Sequence, residues 1–309
     1  MSRALMPYRP NTYRNYRRQF KLFVCYSLRV HPRVVLSVEN VLGFLEFLLS
    51  CGITPRVISN YCSAIKSYLS IYQVPVHWLN SSLLNNYLRA LHIQVPTVRK
   101  SKSTLSLRDF LGISKALLNF DNHQVYRVAF MLSFYGFLRI SNLVSPTQAT
   151  FDPSRQLCSE DIAFNDSGVT VYLKWAKNLQ RTEQSHVIKL PCMSNELLCP
   201  MRALMALNKF QCYSPSDPVI KIGRLPLTEA HLRKRLALVL KVLGLPTQSL
   251  TYHSLRRSGA SIAFNNNVSF ESIKNQGAWS SDAVWSYLFA SSQRVEEVPR
   301  MFRNVELSL

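Results

Sequence analysis

The helical rhythm of the first third of this chain breaks off at Gln94, and that break is the strongest constraint on its folding. Up to Gln94, apolar residues recur at three- and four-residue spacing; Val95-Pro96-Thr97-Val98-Arg99-Lys100-Ser101-Lys102-Ser103-Thr104 then has no such period and carries a proline, Ser/Thr and three cations. A segment of this kind reads as a linker, so the sequence predicts a domain over 1–94, a basic linker over 95–104 and a second domain over 105–309. At 309 residues with 47% hydrophobic content, each part has enough apolar side chains for its own core.

The first domain reads as a small helical bundle. Tyr13, Tyr16, Phe20, Phe23 and Val24 form one apolar stripe; Val41, Phe44, Leu45, Leu48 and Leu49 a second; Val57, Tyr61, Ile65, Tyr68 and Leu69 a third; Leu83, Leu84, Tyr87, Leu88 and Leu91 a fourth. The second domain reads as mostly helical around one small antiparallel sheet. Helices are expected over 107–119, 124–143, 197–209, 229–242, 250–265, 269–276 and 281–291. Three β-rich runs, 161–164, 169–173 and 186–190, supply the strands. The fold class is therefore mainly α with a small antiparallel sheet.

Charge narrows the partner. The chain has 37 Lys+Arg against 17 Asp+Glu, a formal net charge of +20. Such an excess repels itself in a compact state and points to a polyanion, with nucleic acid the first choice. The rival, an acidic membrane, is weaker because the chain has no apolar run of spanning length and no signal-peptide pattern at its start. Residues 1–104 hold 14 Lys+Arg and only 2 acids, Glu39 and Glu46. Arg14, Arg17, Arg18 and Lys21 lie between the apolar positions of the first helix, where a solvated face is the ordinary reading. With so few counter-charges, a phosphate-facing surface is the better one, extended by Arg99, Lys100 and Lys102 in the linker. The linker's basic run also has the composition of a nuclear-import signal.

Familiar catalytic motifs are missing. The seven cysteines, at 25, 51, 62, 158, 192, 199 and 212, form no CxxC pair; neither a disulfide framework nor a zinc knuckle is expected, and a reducing compartment follows. GxxxxGK[ST], HExxH and GxGxxG are absent, so no cofactor, metal or small-molecule substrate is expected. What stands out instead are cations and aromatics. Gly136-Phe137-Leu138-Arg139-Ile140-Ser141-Asn142 puts an arginine inside an apolar helix, where it needs a counter-charge or an anionic ligand. His253 and Arg256, three apart in Tyr252-His253-Ser254-Leu255-Arg256-Arg257-Ser258-Gly259-Ala260, share one side of a helix start, a plausible phosphate seat. Gly277-Ala278-Trp279-Ser280-Ser281-Asp282-Ala283-Val284-Trp285-Ser286-Tyr287 reads as a turn leading into a helix capped by Ser or Asp.

In this order, Gly-x-x-Arg-Ile-Ser, a lysine between strands, His-x-Leu-Arg-x-Ser-Gly-Ala and Gly-x-Trp-Ser-Ser-Asp-Ala-x-x-x-Tyr resemble the tyrosine recombinase (phage integrase) family. The resemblance covers about 105–290, and the N-terminal bundle looks like that family's core-binding domain. Ser-Ser-Asp-Ala is most similar to recombinases of eukaryotic mobile elements, the DIRS-like retrotransposons and cryptons. The resemblance implies Arg139 and Arg256 as catalytic arginines, His253 as general acid/base, Trp279 at the His-or-Trp position and Tyr287 as nucleophile. It implies Lys177 as the catalytic lysine on the turn after the second strand, with Lys174 as alternate. Three departures accompany it: Asn142 where an acid is common, Arg257 where a histidine is frequent, and a Trp279–Tyr287 interval one residue shorter than in many bacterial members.

The implied chemistry is DNA strand transfer. A free tyrosine hydroxyl has a pKa of about 10, so waiting for its ionised fraction at pH 7 costs on the order of 4 kcal/mol. Two fixed guanidiniums can balance transition-state charge as a metal does elsewhere. A 3′-phosphotyrosyl link would keep the ester energy, so rejoining needs no ATP. The expected partner is double-stranded DNA, bound by a homo-oligomer, a tetramer on paired sites. Val298, Met301, Phe302, Val305 and Leu307 offer a tail that docks on a neighbour or packs in cis. The expected location is the nucleus in a eukaryote, otherwise the cytoplasm or nucleoid. Three rivals remain: a domesticated, catalytically inactive DNA-binding protein of the same fold; a metal-dependent nuclease using Glu160 and Asp161; and a type IB topoisomerase.

Overall fold

The computed structural model describes residues 10–95, 103–175, 186–211, 213–279 and 281–288. The chain divides into two compact units, Met1–Arg99 and Lys100–Leu309.

The first unit consists of α1 (Pro10–Val30), α2 (Val38–Ser50), α3 (Pro55–Ile71) and α4 (Ser82–Gln94), with a 3₁₀ turn at His77–Asn80 before the last. The start signals are chemical. The hydroxyls of Ser37 and Ser81 accept the backbone N–H groups of Asn40 and Leu84, and Pro55 begins α3 where a missing N–H costs nothing. Phe23, Val41, Phe44, Leu45, Ile58, Ile65 and Leu84 are fully buried, and Phe23 meets Phe44 edge-on at 5.4 Å. Two expected core positions face outward: Val57 and Leu83 are exposed at 39% and 56%, because Ile58 and Leu84, one residue further on, take the seam. Arg14, Arg17, Arg18 and Lys21 lie on the exposed side of α1.

The second unit packs α5 (Leu107–Leu117), α6 (His123–Tyr135), a single turn α7 (Ile140–Leu143), α8 (Pro200–Phe210), α9 (Glu229–Val242), α10 (Tyr252–Asn265) and α11 (Phe270–Gln276) around a sheet. Its strands are β1 (Ile162–Asn165), β2 (Gly168–Leu173) and β3 (His186–Pro191), antiparallel in that order, with Val171 opposite both Ile162 and Ile188. The mainly helical class with one small antiparallel sheet is the expected one. A two-stranded hairpin, β4 (Lys221–Ile222) and β5 (Leu225–Pro226), was not visible in the sequence, its strands being too short for any alternation.

The central helix α6 is buried at every position from Val125 to Phe134. Two devices bind α10 against it. The Tyr252 hydroxyl donates to the Ala129 carbonyl at 2.9 Å and accepts from the Ser133 hydroxyl at 2.9 Å. At Gly259 the backbones come so close that a Cβ there would lie 1.9 Å from the Phe134 carbonyl oxygen.

Three helical expectations need correction. The run 124–143 is not one helix: α6 ends at Tyr135, Phe137 adopts a left-handed φ of 48°, and the chain restarts as α7, leaving Arg139 extended at its N-cap. Arg139 is thus in a helix break and not inside a helix. The helix expected from Leu197 begins at Pro200, whose ring fits only the first helical turn. Of the helix expected over 281–291, the described part is a 3₁₀ stretch, Asp282–Ser286, with Tyr287 in the turn after it. Among the described residues, no helix is long and apolar enough to cross a membrane.

Candidate active site

The break after α6 supplies the first wall of the site. Asn142 is almost completely buried; its side-chain carbonyl accepts the Arg139 backbone N–H at 3.1 Å, and its amide donates to the Trp175 carbonyl at 2.8 Å. One neutral side chain therefore fixes the backbone of Arg139 and joins it to the chain leaving β2. The Arg139 guanidinium is partly buried, and desolvation lowers its pKa.

Arg256, on α10, is 1% exposed, the largest fully buried side chain among the described residues. It donates to two carbonyls at chain reversals, that of Phe137 and that of Gly277, the latter at 2.8 Å. Its guanidinium stacks 3.9 Å from the centre of the Trp279 ring. Burial first, and then the nearby charge of Arg139, hold its pKa well below the usual value. Two desolvated guanidiniums near enough to feel each other's charge form a site in which an anion would relieve both penalties.

Trp279 lies against Gly277: a Cβ at that glycine would sit 1.8 Å from the indole ring. The glycine therefore serves twice, as the surface for the indole and as the carbonyl for Arg256. Tyr287 completes the group. Its ring lies 5.3 Å from Trp279, 4.9 Å from the His253 ring and 5.7 Å from the Arg256 guanidinium. It is only half-buried, packed against a satellite core of Phe137, Ala260, Ile273, Trp279 and Val284. The Ser261 hydroxyl donates to its carbonyl at 3.1 Å. Asp282, read from sequence as a cap, instead meets Lys274 of α11 at 3.3 Å.

The structure thus gathers Arg139, His253, Arg256, Trp279 and Tyr287 from four separate segments. Lys174 is not with them, because its ammonium is paired with Asp161 at 2.9 Å and Glu160 at 3.2 Å. The same pairing, and the Cys158 N–H bonded to Asp161, engage the two acids of the nuclease reading. Arg257 turns to the Ser103 carbonyl, at 3.5 Å. Lys177, Arg99, Lys100, Lys102, Ser280 and the tail residues Val298, Met301, Phe302, Val305 and Leu307 lie outside the described residues. Sequence reasoning did not find the carbonyls of Phe137 and Gly277 that orient Arg256, since a backbone acceptor leaves no mark in side-chain chemistry. The glycine in Gly277-Ala278-Trp279 was the available signal.

Two donors in this group have no acceptor among the described residues. Arg256 Nε and Trp279 Nε1 are both buried and unpaired. Each such group costs about 1–3 kcal/mol if nothing meets it.

No family model and no curated protein matches the chain by sequence. Solved structures do match its fold. The Tn1549 transposon integrase, in complex with transposon right-end DNA, aligns over 98% of this chain and 96% of its own with a TM-score of 0.68 and 13% identity. The XerH site-specific recombinase, in a post-cleavage complex with a palindromic difH substrate, aligns over 95% and 79% with a TM-score of 0.65 and 15% identity. Lambda integrase, as a tetramer bound to a Holliday junction, aligns over 93% and 74% with a TM-score of 0.59 and 14% identity. The chain has the tyrosine recombinase fold.

Proposed function

We propose that this protein is a site-specific DNA recombinase that cuts and rejoins duplex DNA through a 3′-phosphotyrosyl link. The observation that carries the reading is the pair of buried, unpartnered donors, Arg256 Nε and Trp279 Nε1, beside the Tyr287 ring and the Arg139 charge. A phosphodiester seated there accepts from both donors through its non-bridging oxygens and neutralises part of the two guanidinium charges. The Tyr287 oxygen attacks phosphorus and the bond to the 5′-oxygen breaks. The tyrosine proton leaves toward His253, and Lys177 protonates the departing oxygen. A 5′-hydroxyl from another strand reverses these steps and frees the tyrosine.

The residues of the pocket supply this charge balance themselves, so the reaction is expected to run without a metal or nucleotide cofactor. Arg14, Arg17, Arg18 and Lys21 on the exposed face of α1, together with Arg99, Lys100 and Lys102, contact DNA phosphates. Four strands must be cut, which calls for a homotetramer on two DNA sites; lambda integrase bound to a Holliday junction is a tetramer. The Ser-Ser-Asp-Ala segment favours a eukaryotic mobile element as the source and the nucleus as the place of action.

A substrate nicked beside the scissile phosphate tests the proposal, because loss of the short fragment traps the intermediate. Covalent protein–DNA adduct is expected with the wild-type chain, with EDTA present, and none with Tyr287→Phe at unchanged DNA affinity. Equal binding with no adduct from either protein would establish the inactive DNA-binding reading instead.

A further inference from the structure

Between β3 and α8 two thiols face each other outside the proposed active site. Cys192, just past the end of β3, is exposed; Cys199, the N-cap of α8, is fully buried, and the two sulfurs are 4.0 Å apart. The loop between them is compact: Leu198 N–H bonds to the Asn195 carbonyl at 3.1 Å, and Leu197 N–H to the Asn195 side chain at 3.0 Å. The sulfurs need to approach by only about 2 Å to reach bonding distance.

The two thiols are unequal in a useful way. The sulfur of Cys199 accepts the backbone N–H groups of Met193 at 3.3 Å and Arg202 at 3.4 Å, at the positive end of an eleven-residue helix. Burial pushes this thiol up, but these N–H groups and the Cys192 thiol outweigh it, and the net pKa falls below that of an ordinary cysteine. Cys199 is therefore shielded from reagents in solution, with its sulfur among N–H donors that favour the charged form. Cys192 can be reached.

We infer that Cys192 and Cys199 form a reversible modification site, in which a small disulfide such as oxidised glutathione reacts at Cys192 and Cys199 resolves the product into an intramolecular disulfide. In the first step the Cys192 thiolate attacks one sulfur of the small disulfide, making a mixed disulfide and releasing one small thiolate. In the second, the Cys199 thiolate attacks the Cys192 sulfur and expels the other. The two cysteines together give up two protons and two electrons, and the small disulfide becomes two thiols. This site is independent of the recombinase reading.

The test uses the full chain incubated with oxidised glutathione, quenched in acid, alkylated under denaturing conditions and mapped by peptide mass spectrometry. A Cys192–Cys199 linked peptide that dithiothreitol reverses is expected, while exposed Cys25 and Cys51 carry glutathione. Cys199→Ser should leave a lasting glutathione adduct on Cys192. Cys192→Ser, an exposed change that leaves the fold intact, should leave Cys199 free of glutathione. The inference is overturned if Cys192 of the wild-type chain keeps its glutathione, if it stays unreacted while Cys25 reacts, or if Cys199 is glutathionylated in Cys192→Ser.

Discussion

Gly259→Ala places a methyl group where α10 and α6 touch. The added carbon would lie 1.9 Å from the Phe134 carbonyl oxygen and 2.9 Å from Phe137 Cε1. A carbon and a carbonyl oxygen rest about 3.3–3.6 Å apart, so the two helices must separate by over about 1 Å. Overpacking against side chains costs about 1–3 kcal/mol, and here the obstacle is backbone, which places the cost at the upper end. Alanine returns about 1 kcal/mol of helix propensity, leaving a net destabilisation of about 2 kcal/mol. In a unit of this size that lowers Tm by about 4–8 °C. Gly112→Ala in α5 is the control: its Cβ would make ordinary contact with Leu243 at 3.7 Å, so it should raise stability by up to about 1 kcal/mol. Function should follow, because Arg256, one turn earlier on α10, bonds to the Phe137 carbonyl on the other side of the gap. A displacement of about 1 Å in such a group can cost about 10²-fold in rate. Calorimetry and adduct formation on the nicked substrate read both effects. A Tm for Gly259→Ala at or above wild type would refute the close-approach argument.

Arg256→Lys keeps the charge but gathers its donors on one nitrogen, so it loses the planar fork that spans the Phe137 and Gly277 carbonyls with Nε left over; adduct formation should fall by about 10²-fold or more while DNA affinity stays within a few-fold, and full adduct yield would remove the oriented guanidinium from the mechanism. Hydrogen bonding from Lys221, with the Ser214 N–H adding to it, lowers the Asp217 pKa, so this acid stabilises the fold at pH values above its unfolded pKa of about 3.9 and loses that contribution as pH falls through the lower folded value. Asp217→Asn should thus lower Tm at pH 7 and leave it near wild type in strong acid; an equal deficit at both would contradict the linkage. DNA affinity should drop by about 10³–10⁵ between 50 and 200 mM salt if 6–10 phosphates are neutralised, and a flat salt response would contradict a phosphate-dominated interface.

What the sequence made legible follows from which interactions leave a periodic trace. The bundle stripes around Phe44, Ile65 and Leu84 were readable because a helix face repeats. The Val169–Leu173 and His186–Leu190 strands were readable because β-branched residues cluster between turns. The break at Gly136–Arg139 was not. Apolar residues continue across it from α6 to Leu143, since both sides are buried, and the residue that reverses the chain is Phe137, a type that rarely takes a left-handed φ. The helix expected after Ser281 misled for a related reason: Val284, Trp285 and Leu288 have helical spacing, but the described chain coils there as a short 3₁₀ stretch, held to α11 by Lys274 and Asp282. Residue types and their order singled out Arg139, His253, Arg256, Trp279 and Tyr287, which the structure brings together. The orientation of the site was not readable, because Arg256 is aimed by two main-chain oxygens.

The amide at position 142 has one more implication. Asn142 accepts from Arg139 and donates to Trp175 at once, whereas a carboxyl group could fill both roles only when protonated, so its hold on the first arginine would change with pH. Asn142 cannot titrate, so the Arg139 anchor remains the same at pH 4 as at pH 8, and any pH dependence of the proposed cleavage between those values must originate elsewhere in the pocket or in the DNA.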